Sequence, residues 1–293
     1  MRVRGTLNKV YNIGFIGAGI MGQGMVENLL KAGHNLNIIA NKNRRPIDRL
    51  VSLGATEMKS LVDLSKCCDH FIFCLPDSQT VKSICTRLFP ILAPKTTIID
   101  CSTNEVVTVK ELERKAKSSK LCYIEAPLTG GKQQAQEATL GAIVGCDIND
   151  FSKVTNILKP CCAQIERLGN VGMGATTKLI SNFLALGTAT LVVEALKVAK
   201  NHGVDWQKFY KLASQGSGHS MSLDRIAPPA IKGTHDGYVF TIENTLKDME
   251  YIADLIKDQP DAVAINEIFL KIYKKAKNEG MQKALLSERL QAK

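Results

Sequence analysis

The sequence predicts an α/β chain: a doubly wound, mainly parallel sheet followed by an all-α domain, the two joined by one long helix. Three observations predict it. Short apolar, β-like runs alternate with helical patterns through the first half, at residues 13–16, 36–40, 70–75, 97–100, 122–126 and 141–144. Alternation of this kind marks parallel strands joined by crossover helices, with helices on both faces of the sheet. Past Leu168 it stops: a glycine-rich hinge at residues 169–174 opens a long helical pattern to about His202, and no convincing strand follows. Finally, 293 residues with 45% apolar side chains are enough for two cored domains. The hinge divides them into residues 1–168 and 169–293.

The first strand runs directly into Gly17-Ala18-Gly19-Ile20-Met21-Gly22, a G-x-G-x-x-G turn that opens a helix. A bare glycine loop is also a common simple turn, but strand before and helix after it make this one a dinucleotide fingerprint. Gly17 permits the tight turn, Gly19 leaves room for a pyrophosphate, and Gly22 lets helix and strand pack closely. Phosphates then sit on the free N–H groups at the helix start. The first domain is therefore read as Rossmann-type.

The second strand ends in Ala40-Asn41-Lys42-Asn43-Arg44-Arg45. Sites specific for NAD usually place Asp or Glu here to bind the ribose 2′-hydroxyl. No acid is present, and a guanidinium binds an added 2′-phosphate through paired hydrogen bonds. NADP is the expected cofactor, held by Asn41, Lys42, Arg44 and Arg45; if the segment is only a charged loop, NAD is used as well.

The helical pattern after the hinge is apolar nearly all round, with Leu179, Ile180, Phe183, Leu184, Leu191 and Leu196 on more than one face. Such a helix belongs in an interior or an interface, here expected to span the domains and help bury a partner subunit. Lys178 and Asn182, four apart, share one face near its start. Desolvation and the positive end of the helix dipole both favour a neutral amine there, which suits a proton donor and acceptor near neutral pH. The alternative is a first-turn lysine pointing into water.

Two further segments carry candidate chemistry. Thr129 beside Gly130 and Gly131 can form a small nest for a carboxylate, or a plain turn. Ser102 and Thr103 end a strand, where ligands bind in open α/β sheets, and can equally cap the helix beginning near Glu105.

The nine cysteines form no C-x-x-C pair, and the five histidines form no metal-ligand spacing. Reduced thiols in a cytoplasmic protein are expected, with no metal. The net charge of +10 is dispersed, apart from a mild cluster at Lys271, Lys274, Lys275 and Lys277, so no nucleic-acid partner is expected. The positive field can still steer small anions. The longest apolar stretch, residues 179–193, is too short and too polar to predict a membrane span.

The motifs together resemble the β-hydroxyacid dehydrogenase family, which includes 3-hydroxyisobutyrate dehydrogenases and tartronate and succinic semialdehyde reductases. The likeness rests on the segments 14–22, 100–103, 125–131 and 172–182 and on Lys247-Asp248, in the family's order along nearly the whole chain. It implies hydride transfer between a nicotinamide cofactor and a small 3-hydroxy acid or matching semialdehyde, in a homodimer or homotetramer, with the active site between the domains. It implies Lys178 as general acid/base, Asn182 orienting the substrate, and Thr129, Gly130 and Gly131 holding its carboxylate, with Ser102 close to both ligands. Leu75, Pro76, Thr80 and Thr103 match cofactor-lining positions, and Lys247 matches one that closes near the nicotinamide. Thr129 stands for the family's usual serine and Glu125 for its usual aspartate, which leaves the substrate open. An imine reductase shares this architecture but generally carries another residue type in place of Lys178. A non-catalytic NADP-binding interaction module tends to lose that lysine.

Overall fold

The computed structural model describes residues 9–40 and 43–291. The chain alternates as its sequence pattern predicts: β1 (Asn12–Ile16), α1 (Ile20–Lys31), β2 (Asn35–Ile39), α2 (Arg45–Ser52), β3 (Thr56–Met58), α3 (Leu61–Cys67), β4 (His70–Phe73), α4 (Ser78–Leu88), β5 (Thr97–Asp100), α5 (Val106–Ser118) and β6 (Cys122–Glu125). There follow β7 (Leu128–Thr129), α6 (Lys132–Glu137), β8 (Leu140–Gly145), α7 (Phe151–Leu158) and β9 (Cys162–Gly169).

The sheet runs β3-β2-β1-β4-β5-β6-β8-β7, with β9 paired to β8. The first six strands are parallel, with Phe15 opposite both Ile38 and Ile72, and Asp100 opposite Glu125. β8 joins β6 and β7 antiparallel, and β9 runs parallel to β8. Adjacent residues feed two apolar layers, as a sheet covered on both faces requires. Phe15, Ile72 and Ile99 pack on one side with Met25, Val26 and Leu29 of α1; Ile16, Phe71, Phe73 and Ile98 pack on the other with Val81, Cys85 and Leu112.

Three strands escaped the sequence reading. β3 and β7 are three and two residues long. β9, with the burial of an edge strand, alternates exposed and half-buried residues between Cys162 and Gly169, so it lacks the apolar run that marks the central strands.

The remainder is helical: α8 (Met173–Asn201), α9 (Trp206–Ala213), α10 (Met221–Ile231), α11 (Ile242–Leu255) and α12 (Pro260–Asn278). Only an isolated bridge, Thr241 to Leu285, interrupts it among the described residues. The compact units divide after Lys178, ten residues beyond the hinge-based boundary, so the first turn of α8 belongs to the sheet unit. Within the helical unit, the Thr190 and Tyr273 hydroxyls share a buried 2.5 Å hydrogen bond, and Asn266 donates to the Met249 carbonyl at 3.0 Å. α8 is 29 residues long, and by length and composition alone it could cross a bilayer, but half of its apolar window is buried in the protein. It is longer than the apolar stretch read from residues 179–193.

Candidate active site

The turn after β1 is built by its glycines. Gly17 has φ +108°, and a Cβ there would lie 2.3 Å from the Cys74 carbonyl oxygen. A Cβ on Gly22 would lie 2.2 Å from the Gly17 carbonyl, whereas one on Gly19 would meet nothing within 4 Å. Two glycines thus close the turn and the third keeps a space open. Gly19 caps α1 without any side-chain hydrogen bond, so no side chain competes for the N–H groups at this helix start, the site where phosphate binds best. β1 lies between β2 and β4, the point at which strand order reverses and dinucleotides bind in open sheets. A cleft of about 610 Å³ opens here, lined by Gly17, Ala18, Gly19, Leu75, Pro76 and Thr80. These residues fit a nicotinamide dinucleotide.

Ile20, Met21 and Thr103 do not line this cleft. Asn41 and Lys42 lie outside the described residues. Arg44 is not among the residues lining it and is engaged elsewhere: Nη1 pairs with Glu57 Oε1 at 2.6 Å and Nη2 with Asp48 Oδ1 at 2.7 Å. Arg45 begins α2, its N–H donating to Asn43 Oδ1 at 3.2 Å. Asn43 and Arg87, not among the cofactor residues expected from the sequence, do line the cleft. Arg87 lies in the last turn of α4, one cation among the chain's 38 lysines and arginines, and no local motif distinguishes it.

Beyond β5, Asp100 organises the loop that carries Ser102. Its carboxylate accepts from the Ser102 N–H (3.0 Å), Asn104 Nδ2 (2.9 Å) and the Tyr123 hydroxyl (2.8 Å). Burial raises its pKa, against the opposing pull of these donors. Ser102 Oγ accepts from the Leu75 N–H at 2.9 Å, tying the ends of β4 and β5 together. Ser102 and Thr103 are not helix caps: α5 is capped by Glu105, whose N–H donates to Ser78 Oγ at 2.9 Å.

The Thr129-Gly130-Gly131 segment is less open than a nest. Gly130 has φ +107°, but the Gly131 N–H donates to Gln134 Oε1 at 2.9 Å and is already engaged. Thr129 Oγ1 lies over Gly141, where an added Cβ would approach it to 2.4 Å.

Lys178 lies in the second turn of α8, half-buried. In the helical unit, Asn182 is buried and its Nδ2 donates to Asp248 Oδ2 at 2.6 Å. Lys247 Nζ pairs with the other Asp248 oxygen at 2.8 Å and lies 5.0 Å above the Tyr251 ring. Lys247 is therefore held rather than solvated. Asp248, 1% exposed, links two predicted site residues; its place beside Lys247 was visible in sequence, but its bond to Asn182 was not. No cluster of three His, Cys, Asp or Glu among the described residues is placed to hold a metal.

Comparison with known proteins decides the family. Residues 12–174 match the NAD binding domain of 6-phosphogluconate dehydrogenase, and residues 172–292 match the NAD-binding domain of NADP-dependent 3-hydroxyisobutyrate dehydrogenase. The chain belongs to the β-hydroxyacid dehydrogenase family. Its relatives are NAD(P)-dependent hydroxyacid dehydrogenases and semialdehyde reductases, and it is an enzyme of that class. A mitochondrial 3-hydroxyisobutyrate dehydrogenase of Drosophila melanogaster is 28% identical over 96% of this chain and 89% of its own. A probable mitochondrial 3-hydroxyisobutyrate dehydrogenase of Dictyostelium discoideum is 30% identical over 77% of this chain and 74% of its own. The same fold is seen in Mycobacterium tuberculosis 3-hydroxyisobutyrate dehydrogenase with L-serine, at TM-score 0.84 and 23% identity over 97% and 99% of the two chains. A Pseudomonas imine reductase shares the fold more distantly, at TM-score 0.65 and 19% identity over 97% and 99% of the two chains.

Proposed function

We propose that the chain reduces a short carboxylate-bearing semialdehyde, or oxidises the matching 3-hydroxy acid, with NADP as cofactor and Lys178 as proton donor and acceptor. The observation that carries this reading is the half-buried Lys178 in α8, with the buried amide of Asn182 held by Asp248 one turn further along the same helix. When bound, the nicotinamide supplies or accepts the hydride. Gly17, Gly19 and the first N–H groups of α1 would hold the pyrophosphate, and Leu75, Pro76 and Thr80 its neighbouring surface.

In reduction, the Lys178 ammonium donates a proton to the developing alkoxide oxygen; in oxidation, the neutral amine takes the hydroxyl proton. The substrate carboxylate is received by the Thr129 hydroxyl and the Gly130 N–H. Ser102 Oγ accepts from the Leu75 N–H and its hydroxyl bonds to the Asp100 carboxylate, so Ser102 shapes the wall beside both ligands. Asn182 sets the angle of the reacting carbon. NADP is favoured by the missing acid after β2 and by Asn43 and Arg87 on the cleft wall.

A homodimer or homotetramer is favoured by the exposed apolar row Ile180, Leu184, Leu191 and Val198 along α8. The nine free thiols suit a reducing cytoplasm.

The test is NADPH and NADH oxidation against short semialdehydes with and without a carboxylate, using the parent and Lys178→Ala. Turnover restricted to carboxylate-bearing aldehydes and reduced about a thousandfold in the variant is expected. Full turnover by Lys178→Ala would overturn the lysine assignment.

A further inference from the structure

Glu125 ends β6 and is almost fully buried, yet both its oxygens are committed to one place. Oε1 accepts from the Gly172 N–H at 2.5 Å and the Gly174 N–H at 2.8 Å; Oε2 accepts from the Ala175 N–H at 3.0 Å. These are donors at the N-terminus of α8, where a helix leaves its N–H groups unpaired and favours negative charge. The seat is shaped for this side chain. A Cβ on Gly145 would lie 2.1 Å from Glu125 Oε1, and one on Gly174 would lie 3.1 Å from its Cδ. Gly172 itself takes φ +105°.

We infer that Glu125 is the positioning residue for Lys178: by accepting from Gly172, Gly174 and Ala175 it fixes the first turn of α8, from which Lys178 follows three residues on. This rests on the reading of Lys178 as the acid/base. Misplacing a reacting group by about 1 Å costs on the order of a hundredfold in rate, so a loosened first turn is expected to register in kcat.

The clamp also titrates. Burial pushes the Glu125 pKa up to about 7, against its three backbone donors, and the neighbouring Asp100 carboxylate adds to the rise. The other titratable or charged groups set near the clamp are Tyr123 on its own strand and Lys110 of α5, whose Cε approaches Gly172. Protonation converts one acceptor oxygen to a hydroxyl and removes a bond to the α8 terminus. In aldehyde reduction Lys178 must carry its proton, so its own titration cuts activity on the alkaline side. A loss on the acid side, which a lysine donor does not produce, is expected from protonation of the Glu125 carboxylate that clamps the α8 terminus.

The experiment is the pH profile of kcat for aldehyde reduction at saturating NADPH, in the parent, Glu125→Gln, Glu125→Asp and Lys178→Ala. Expected is an acid limb near neutral pH in the parent, and in Glu125→Gln a kcat about tenfold lower or more at pH ~8 with that limb gone. NADPH affinity stays within about twofold, since no cradle residue is touched. Glu125→Asp, one methylene short, recovers part of the rate and restores an acid limb. Should Glu125→Gln not fold, Glu125→Asp decides alone: a lower kcat with a displaced limb supports the inference, and a parental profile overturns it. A parental kcat and limb in Glu125→Gln, with Lys178→Ala inactive, overturns the inference and leaves the lysine standing. Turnover by Lys178→Ala overturns both.

Discussion

Two helix N-termini in the sheet unit, those of α1 and α8, put the same chemistry to opposite uses. Each begins with N–H groups that no helical carbonyl can satisfy. At α1 the sequence withholds a cap: Gly19 offers no side chain, and a Cβ there would meet open space. At α8 the protein fills the site with its own anion, the Glu125 carboxylate. One terminus is left for a ligand phosphate; the other is closed to ligand anions and spent on holding a helix in place. A helix N-terminus therefore marks a binding site only when nothing in the chain already occupies it.

The filled terminus gives the larger expected effect. The folded-state pKa of Glu125 is raised from 4.5 to about 7, so its contribution to stability is fully present below pH ~4.5 and is lost as pH rises through about 7. The shift corresponds to about 3 kcal/mol. Glutamine does not titrate. The stability of Glu125→Gln relative to the parent should therefore rise between pH 5 and pH 8 by an amount of that order, measured by urea unfolding at each pH. A difference that stays constant across this range would mean that Glu125 does not ionise within it, and that the two termini differ less than their geometry indicates.

The difference between the termini also separates what the sequence revealed from what it hid. The open terminus was legible because its whole device is local: strand, three glycines and helix lie within residues 12–31, and the structure returns them in that order. The alternating strands and the helical second half were legible for the same reason, since periodicity is a local property. The filled terminus is assembled from residues 47 to 50 positions apart. In sequence Glu125 was only a departure from the family's aspartate. Gln134 taking the Gly131 N–H and Asp248 holding Asn182 were hidden likewise: each is a side-chain contact that no spacing rule encodes. Arg44 shows the converse case. Its place after β2 fitted a phosphate ligand, but Glu57, brought beside it by β3, already holds it.

The open terminus is probed by two glycines with opposite expected failures. Gly19→Ala places a methyl where the backbone must approach a pyrophosphate, with nothing to meet in the protein itself. Its unfolding free energy should stay within about 0.5 kcal/mol of the parent, while the dinucleotide Kd rises about tenfold to a hundredfold through lost charge-assisted hydrogen bonds. Gly17→Ala meets the Cys74 carbonyl and a φ of +108°, so it should lose about 2 kcal/mol of stability or more. Calorimetric titration and denaturant unfolding of both variants check this. Equal loss of stability in the two would mean that the space at Gly19 is not free.

The smallest effect concerns the rim of the open terminus, where Arg44 is engaged by Glu57 and Asp48. If Arg44 reaches a 2′-phosphate, it must first leave these carboxylates, and an exposed, solvent-screened ion pair holds it only weakly. Glu57→Gln weakens that hold and removes a negative charge from the phosphate's surroundings. NADP affinity should then rise about two- to fivefold, with NAD affinity unchanged because NAD has no 2′-phosphate to feel either change. Arg44→Ala should abolish the gain when combined with Glu57→Gln. If Glu57→Gln shifts both cofactors equally, the ion pair only shapes the α2 loop. Selectivity for NADP would then fall to Arg87 on the cleft wall.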